Sequence, residues 1–220
     1  MQTQRSALLV GATGLVGDEL LTRILQSDLY TDLQVISRKP LTTTHAKLKT
    51  HVQSFDQLDH LSKQSPAVFE VDDVFCCLGT TLKTAGSKQA FEAVDYGYVV
   101  ALARACEQQG ASRFFLVSAV GANPKSNNFY SQVKGRTEVA VSKLSFSAVY
   151  WIRPSLLLGE REEHRSGEAW AQRLAPIFSP LLAGPLRQLR PVSATDVANH
   201  IMDLAAVEAP GQHITYPSRN

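Results

Sequence analysis

The chain has 220 residues, 44% apolar and 19% charged, the proportions of a soluble globular protein with one well-filled core and at most a small appended lobe. Its 22 basic and 20 acidic residues are interleaved and leave a formal charge of +2, which excludes the basic block that a nucleic-acid or anionic-membrane partner needs. No apolar run approaches the roughly 20 residues that cross a bilayer, and the three cysteines, Cys76, Cys77 and Cys106, form no disulfide framework, so a reducing cytoplasmic location is expected.

Ala7-Leu8-Leu9-Val10 is a short apolar run, too short for a signal-peptide core, and reads as a strand buried on both faces. It leads directly into Gly11-Ala12-Thr13-Gly14-Leu15-Val16-Gly17, and a helix follows over 14–26 with Leu15, Leu20, Ile24 and Leu25 in helical rhythm. In this strand–turn–helix setting each glycine has a mechanism. Gly11 permits the tight turn, Gly14 lets a pyrophosphate approach the helix N-terminus, and Gly17 lets the helix sit close to the strand. Gly11, Thr13, Gly14, Leu15, Val16 and Gly17 are therefore the candidate dinucleotide contacts. The bland alternative is a glycine-rich turn without a ligand.

The second strand, 34–36, ends at Ser37-Arg38-Lys39, where an NAD-binding domain usually places a carboxylate for the adenosine ribose. A hydroxyl from Ser37 and the guanidinium of Arg38 suit a 2′-phosphate instead, so NADP is expected ahead of NAD. Read blandly, Arg38 and Lys39 are solvated loop charges. A weaker strand near 48–52 precedes a clear one at 74–78. One long helix is then predicted over 88–108, with Phe91, Val94, Tyr98, Leu102 and Ala105 in register until Gly110 stops it.

Strand 113–117 ends at Ser118, helix 129–143 carries Tyr130 and Lys134, and a last strand spans 148–152. After Pro154, prolines at 176, 180, 185 and 191 break the pattern, and only 196–206 reads as a helix. The alternation predicts an α/β fold, a Rossmann-like doubly wound parallel sheet with a small C-terminal helix-and-loop lid. Residues 1–220 form a single NAD(P)-binding domain in this reading, with 155–220 as a small substrate-side lobe.

Tyr130 and Lys134 stand at i and i+4 and share a helix face, and Ser118 stands at a strand's carboxyl end, where a doubly wound sheet opens. Carbonyl reduction needs such a set. A phenol has a pKa near ~10 and is a poor acid–base catalyst at neutral pH unless an ammonium stabilises its phenolate. Lys134 can do that while holding the nicotinamide ribose, and Ser118 can anchor the carbonyl oxygen. Taken singly, each residue is unremarkable: a turn serine, a core tyrosine, a solvated lysine.

These segments together resemble the NAD(P)H-binding group of the atypical short-chain dehydrogenase/reductases, over nearly the whole chain from about Ser6. The glycine turn, Cys76-Cys77-Leu78-Gly79-Thr80-Thr81 and Ala93-Val94-Asp95-Tyr96 carry the likeness. So do Val117-Ser118-Ala119-Val120-Gly121-Ala122, Tyr130-x-x-x-Lys134-Gly135, Ile152-Arg153-Pro154-Ser155 and Asp196-Val197-Ala198. The resemblance implies that Leu78, Gly79, Thr80 and Thr81 pass beside the cofactor's adenosine and pyrophosphate, and that Arg153-Pro154 lies near the nicotinamide. It implies that Cys76 and Cys77 are small core residues. It also implies an Asn where this chain has Asp95, which is a departure. The lobe is too small for sugar-nucleotide epimerase chemistry, and the family includes both monomers and homodimers.

The six histidines show no ligand spacing, so no metal is expected. The charge run 159–165 reads as a solvated face, and Trp151, Trp170 and Phe178 as core. Two functions follow: an NADP(H)-dependent oxidoreductase on a small carbonyl or alcohol substrate, or a non-catalytic NADP(H)-binding regulator that reports redox state to a protein partner. Retention of both Tyr130 and Lys134 favours the enzyme.

Overall fold

The computed structural model describes residues 4–155, 157–158 and 191–218. β1 (Arg5–Val10) is followed by α1 (Leu15–Gln26), β2 (Tyr30–Ser37), β3 (Leu48–Val52) and α2 (Leu58–Gln64). β4 (Asp73–Cys76) leads through α3 (Leu82–Ala85) and α4 (Lys88–Glu92) into a π-helical segment (Ala93–Tyr98) and α5 (Val99–Gln108). Then come β5 (Arg113–Val117), α6 (Phe129–Val141), β6 (Ala148–Ile152), β7 (Leu157–Leu158), β8 (Val192–Ser193), α7 (Ala194–Ala205) and β9 (Gly211–Thr215). Seven strands form one sheet in the order β3-β2-β1-β4-β5-β6-β9, every neighbouring pair parallel. β7 and β8 pair separately. The order reverses between β1 and β4, which opens a crevice at the carboxyl ends of those strands.

The apolar runs are continuous because both faces of the sheet are covered. Ala7 and Leu9 enter one core cluster while Leu8 and Val10 enter the other, all four without exposed surface. α1 and α7 cover the first face with Leu20, Ile24, Val197 and Ile201. α2, α5 and the end of α6 cover the second with Leu58, Val99, Leu102 and Val141. On the first face Phe75, Phe115, Tyr150 and His213 stack in a row across β4, β5, β6 and β9, with ring centroids 4.8, 4.6 and 5.0 Å apart.

At the opposite end of the strands from the crevice, a buried polar knot fixes α7. The Arg113 guanidinium pairs with Asp73 through Nε at 2.6 Å, and the Tyr30 hydroxyl donates to the same carboxylate at 2.5 Å. Burial, reinforced by Asp73, raises the Tyr30 pKa, so its proton stays in place as the donor. Arg113 and Arg5 then donate to the Ala205 carbonyl at 3.0 and 2.9 Å, where the negative end of a helix favours cations.

The doubly wound parallel sheet agrees with expectation, and three details differ. The predicted 88–108 helix is broken into α4, the π segment and α5, an insertion that side-chain periodicity cannot reveal because the apolar rhythm runs through it. β9 escapes the sequence because it is an edge strand, largely exposed and without an apolar run. The 74–78 strand ends at Cys76, leaving Cys77 and Leu78 to the loop. Trp151 is buried in the core. Trp170, Phe178, the 159–165 charge run and most of the expected lid lie outside the described residues.

A Cβ on Gly17 would sit 2.0 Å from the Gly11 carbonyl oxygen, whereas one on Gly97 would meet nothing closer than 4.0 Å. Gly17→Ala is accordingly expected to destabilise the chain by at least about 2 kcal/mol, and Gly97→Ala to stay within about 0.5 kcal/mol of the parent, both measured by urea unfolding.

Candidate active site

The glycine turn is pressed against the end of β4. Gly11 adopts φ +91°, and a Cβ there would lie 2.6 Å from the backbone carbonyl of Cys77, so only glycine fits. The Gly14 N–H closes the turn on the Gly11 carbonyl at 3.0 Å. Gly14 is also the N-cap of α1 and offers no side-chain cap, so the first N–H groups of the helix lack a side-chain acceptor, the arrangement that suits a phosphate. Thr13 is exposed and Leu15 half-buried, while Val16 and Gly17 are buried and face the crevice only through backbone. A cleft of about 330 Å³ separates Thr13, Gly14 and Leu15 from Ser193, Ala194 and Thr195 at the start of α7.

At the end of β2, Ser37 is buried and its hydroxyl accepts the Lys39 N–H at 3.3 Å. Arg38 is exposed, and its guanidinium lies 5.8 Å from the Phe55 ring centroid. Among the described residues it forms no ion pair. It is a cation at the crevice rim with its fork available.

α6 supplies the chemistry-bearing face. Asn128 caps it by accepting the Ser131 N–H at 3.0 Å. Gly135 lets the preceding loop press onto the helix, since a Cβ there would come within 2.3 Å of the Asn123 and Pro124 backbone. Tyr130, Lys134 and Glu138 follow one another at single-turn spacing, each step about 6 Å along the axis. Tyr130 is 36% exposed and rests against the Phe91 ring at 5.7 Å.

Lys134 is buried. Its ammonium lies 2.8 Å from Asp95 Oδ1, a carboxylate with no exposed side-chain surface. The second Asp95 oxygen accepts the Thr80 N–H at 2.9 Å. Burial by itself disfavours the ammonium, but the Asp95 carboxylate and, after it, the neighbouring Tyr130 phenol outweigh burial and raise the lysine pKa above its usual value. Gly79 covers the pair: a Cβ on it would stand 3.5 Å from Asp95 Oδ1 and 3.6 Å from Lys134 Nζ.

Tyr130 and Lys134 are thus brought together, but Ser118 is drawn elsewhere. Its buried hydroxyl donates to Glu138 Oε1 at 2.5 Å, and Glu138 is gripped by the Arg153 fork at 3.0 and 2.5 Å. A buried carboxylate claims every donor within reach, and Ser118 completes its set. The serine expected to hold a carbonyl oxygen has its proton committed inside the protein, and Arg153, expected beside a nicotinamide, is engaged in the same ion pair. Glu138 was missed, although its spacing of four and eight residues from Lys134 and Tyr130 marks it on their face.

Around the β4 loop, Leu78 packs into the core, Thr80 contributes its N–H to Asp95, and the Thr81 hydroxyl caps α3 by accepting the Thr84 N–H at 3.1 Å. The Leu78 side chain and the Thr81 hydroxyl are therefore occupied by structure. Cys76 and Cys77 are free thiols. Burial pushes the Cys76 thiol up to about 12 and raises Cys77 further, so neither is a thiolate near neutrality.

The chain is similar to known proteins. The NAD(P)H-binding family pattern matches residues 11–155. Protein HTATIP2 of Rattus norvegicus is 36% identical over 169 residues, 77% of this chain and 69% of that protein. Protein FMP52-1, mitochondrial, of Scheffersomyces stipitis is 32% identical over 201 residues, 89% and 82% of the two chains. Among solved structures, MoeE5 in complex with UDP-glucuronic acid and NAD superposes with a TM-score of 0.72 over 97% of this chain and 76% of that one. At 18% identity that likeness bears on the fold alone. The fungal FMP52 relatives are mitochondrial by name, which contradicts the expected cytoplasmic location. Three free cysteines do not single out the cytoplasm. The chain belongs to the NAD(P)H-binding family, as a relative of the HTATIP2 and FMP52 proteins.

Proposed function

We propose that the chain is an NADP(H)-dependent oxidoreductase acting on a small carbonyl or alcohol. The observation that carries the reading is a partly exposed Tyr130 phenol one helical turn from a buried, protonated Lys134. When bound, the dinucleotide supplies or accepts the hydride. The uncapped first turn of α1 would hold its pyrophosphate, and Arg38 would hold the 2′-phosphate. Lys134 stays charged and steadies negative charge on the tyrosine oxygen. In reduction the Tyr130 O–H bond would break and its proton pass to the carbonyl oxygen; solvent would then reprotonate the phenolate. Tyr130 alone anchors the carbonyl oxygen in this account, and Ser118 positions Glu138 and Arg153 beneath it.

The commitment of Ser118 to Glu138 favours a second reading, an NADP(H)-binding regulator without turnover that acts through a protein partner. Cofactor affinity is common to both readings, so turnover decides between them.

Titration of the purified chain with NADPH and NADH, followed by nicotinamide fluorescence, is expected to show a clear preference for NADPH. Arg38→Ala removes a charge-assisted contact and should weaken NADPH roughly tenfold or more while sparing NADH; equal weakening of both would detach Arg38 from the 2′-phosphate. In a screen of small aldehydes and ketones, Tyr130→Phe should lower NADPH oxidation at least about 100-fold with NADPH affinity unchanged. Retained turnover would remove Tyr130 from the chemistry.

A further inference from the structure

We infer that Asp95 is a positioning residue that sets how tightly the Tyr130–Lys134 pair holds its proton, by fixing a buried negative charge 2.8 Å from the Lys134 ammonium. The inference rests on the catalytic reading of Tyr130 and Lys134.

Four features hold that charge in place. The π segment carries Asp95, 1% exposed, against α6. The Thr137 hydroxyl ties this segment to α6, reaching both the Asp95 carbonyl at 2.8 Å and the Val133 carbonyl at 2.9 Å. The Thr80 N–H fixes the outer carboxylate oxygen, and Gly79 leaves room for both members of the pair.

Among the described residues few other charges face the pair. From β4 comes the Cys76 thiol, neutral because burial pushes it up to about 12. On α6, Glu138 lies one turn beyond Lys134 with its charge answered by Arg153. Glu92 of α4 and Arg136 of α6 answer each other at 2.6 Å, with Arg136 over the Tyr96 ring at 5.1 Å. Among the described residues Asp95 is therefore the negative charge in direct contact with the Tyr130–Lys134 pair, answered by no cation other than Lys134 itself.

The sign follows without deciding which atom titrates first. A proton leaving either Tyr130 or Lys134 adds negative charge beside a carboxylate, and two strongly coupled groups titrate as a unit. Replacing the carboxylate by an amide makes the first proton easier to lose from either atom. Asp95 thus makes the first proton of the pair harder to lose.

The test needs no substrate. The chain is isotope-labelled at tyrosine Cζ and lysine Cε and titrated by NMR, with Tyr130→Phe and Lys134→Gln assigning the two resonances. Asp95→Asn keeps the volume and the acceptor for the Thr80 N–H, and is expected to lower the midpoint of the first proton lost from the pair by at least about one pH unit. An unmoved or higher midpoint overturns the inference. If Asp95→Asn does not fold, the double variant Asp95→Asn/Lys134→Gln serves, since it leaves no buried charge unpaired: its Tyr130 midpoint must fall below that of Lys134→Gln alone, and its failure to fall overturns the inference equally. A shift of the expected sign in a protein that turns over no carbonyl would leave the charge coupling intact and fell the oxidoreductase reading alone.

Discussion

A lysine ammonium with almost no exposed surface has to be answered by a negative charge, and much of the site follows from how this chain answers it. Burial of an unpaired Lys134 would cost several kcal/mol or strip its proton. The Asp95 carboxylate reaches it because the helix between β4 and β5 widens into a π segment at that point. The loop after β4 then wraps the pair, with Gly79 giving space and Thr80 giving an N–H. Removing any one of these leaves a buried charge or a buried donor unpaired.

The same site depends on a second constraint, the absence of side chains where backbones meet. Gly11 abuts the Cys77 carbonyl and Gly17 abuts Gly11, so the turn after β1, the end of β4 and the first turn of α1 occupy one another's van der Waals limits. The crevice therefore opens between rigid edges. Strand order brings these edges together, and the apolar strands buried on both faces make that order stable.

Two carboxylates on the second face of the sheet divide the polar work. Asp95 is given to Lys134, while Glu138 is given to Arg153 and Ser118 and ties β5, β6 and α6 together. Ser118 changes meaning as a result: its place at a strand's carboxyl end suggested a substrate contact, and its proton instead closes a buried ion-pair network. A lone strand-end serine carries no information about which way its hydroxyl turns, because that depends on a glutamate twenty residues away.

The amino-acid sequence by itself determined the strands that run apolar from end to end, the glycine turn with a helix behind it, and the shared face of Tyr130 and Lys134. These are local: they depend on side-chain period, on φ angles open only to glycine, and on i to i+4 spacing. Tertiary structure decided what depends on distant partners. β9 is a strand because β6 offers it a ladder and Tyr150 a ring for His213 to stack on. The π segment exists within a helix whose apolar rhythm gives no sign of it, and it sets Asp95 against Lys134, a partner thirty-nine residues away. Ser118 turns to Glu138 because a desolvated carboxylate binds the nearest donors whatever their separation along the chain.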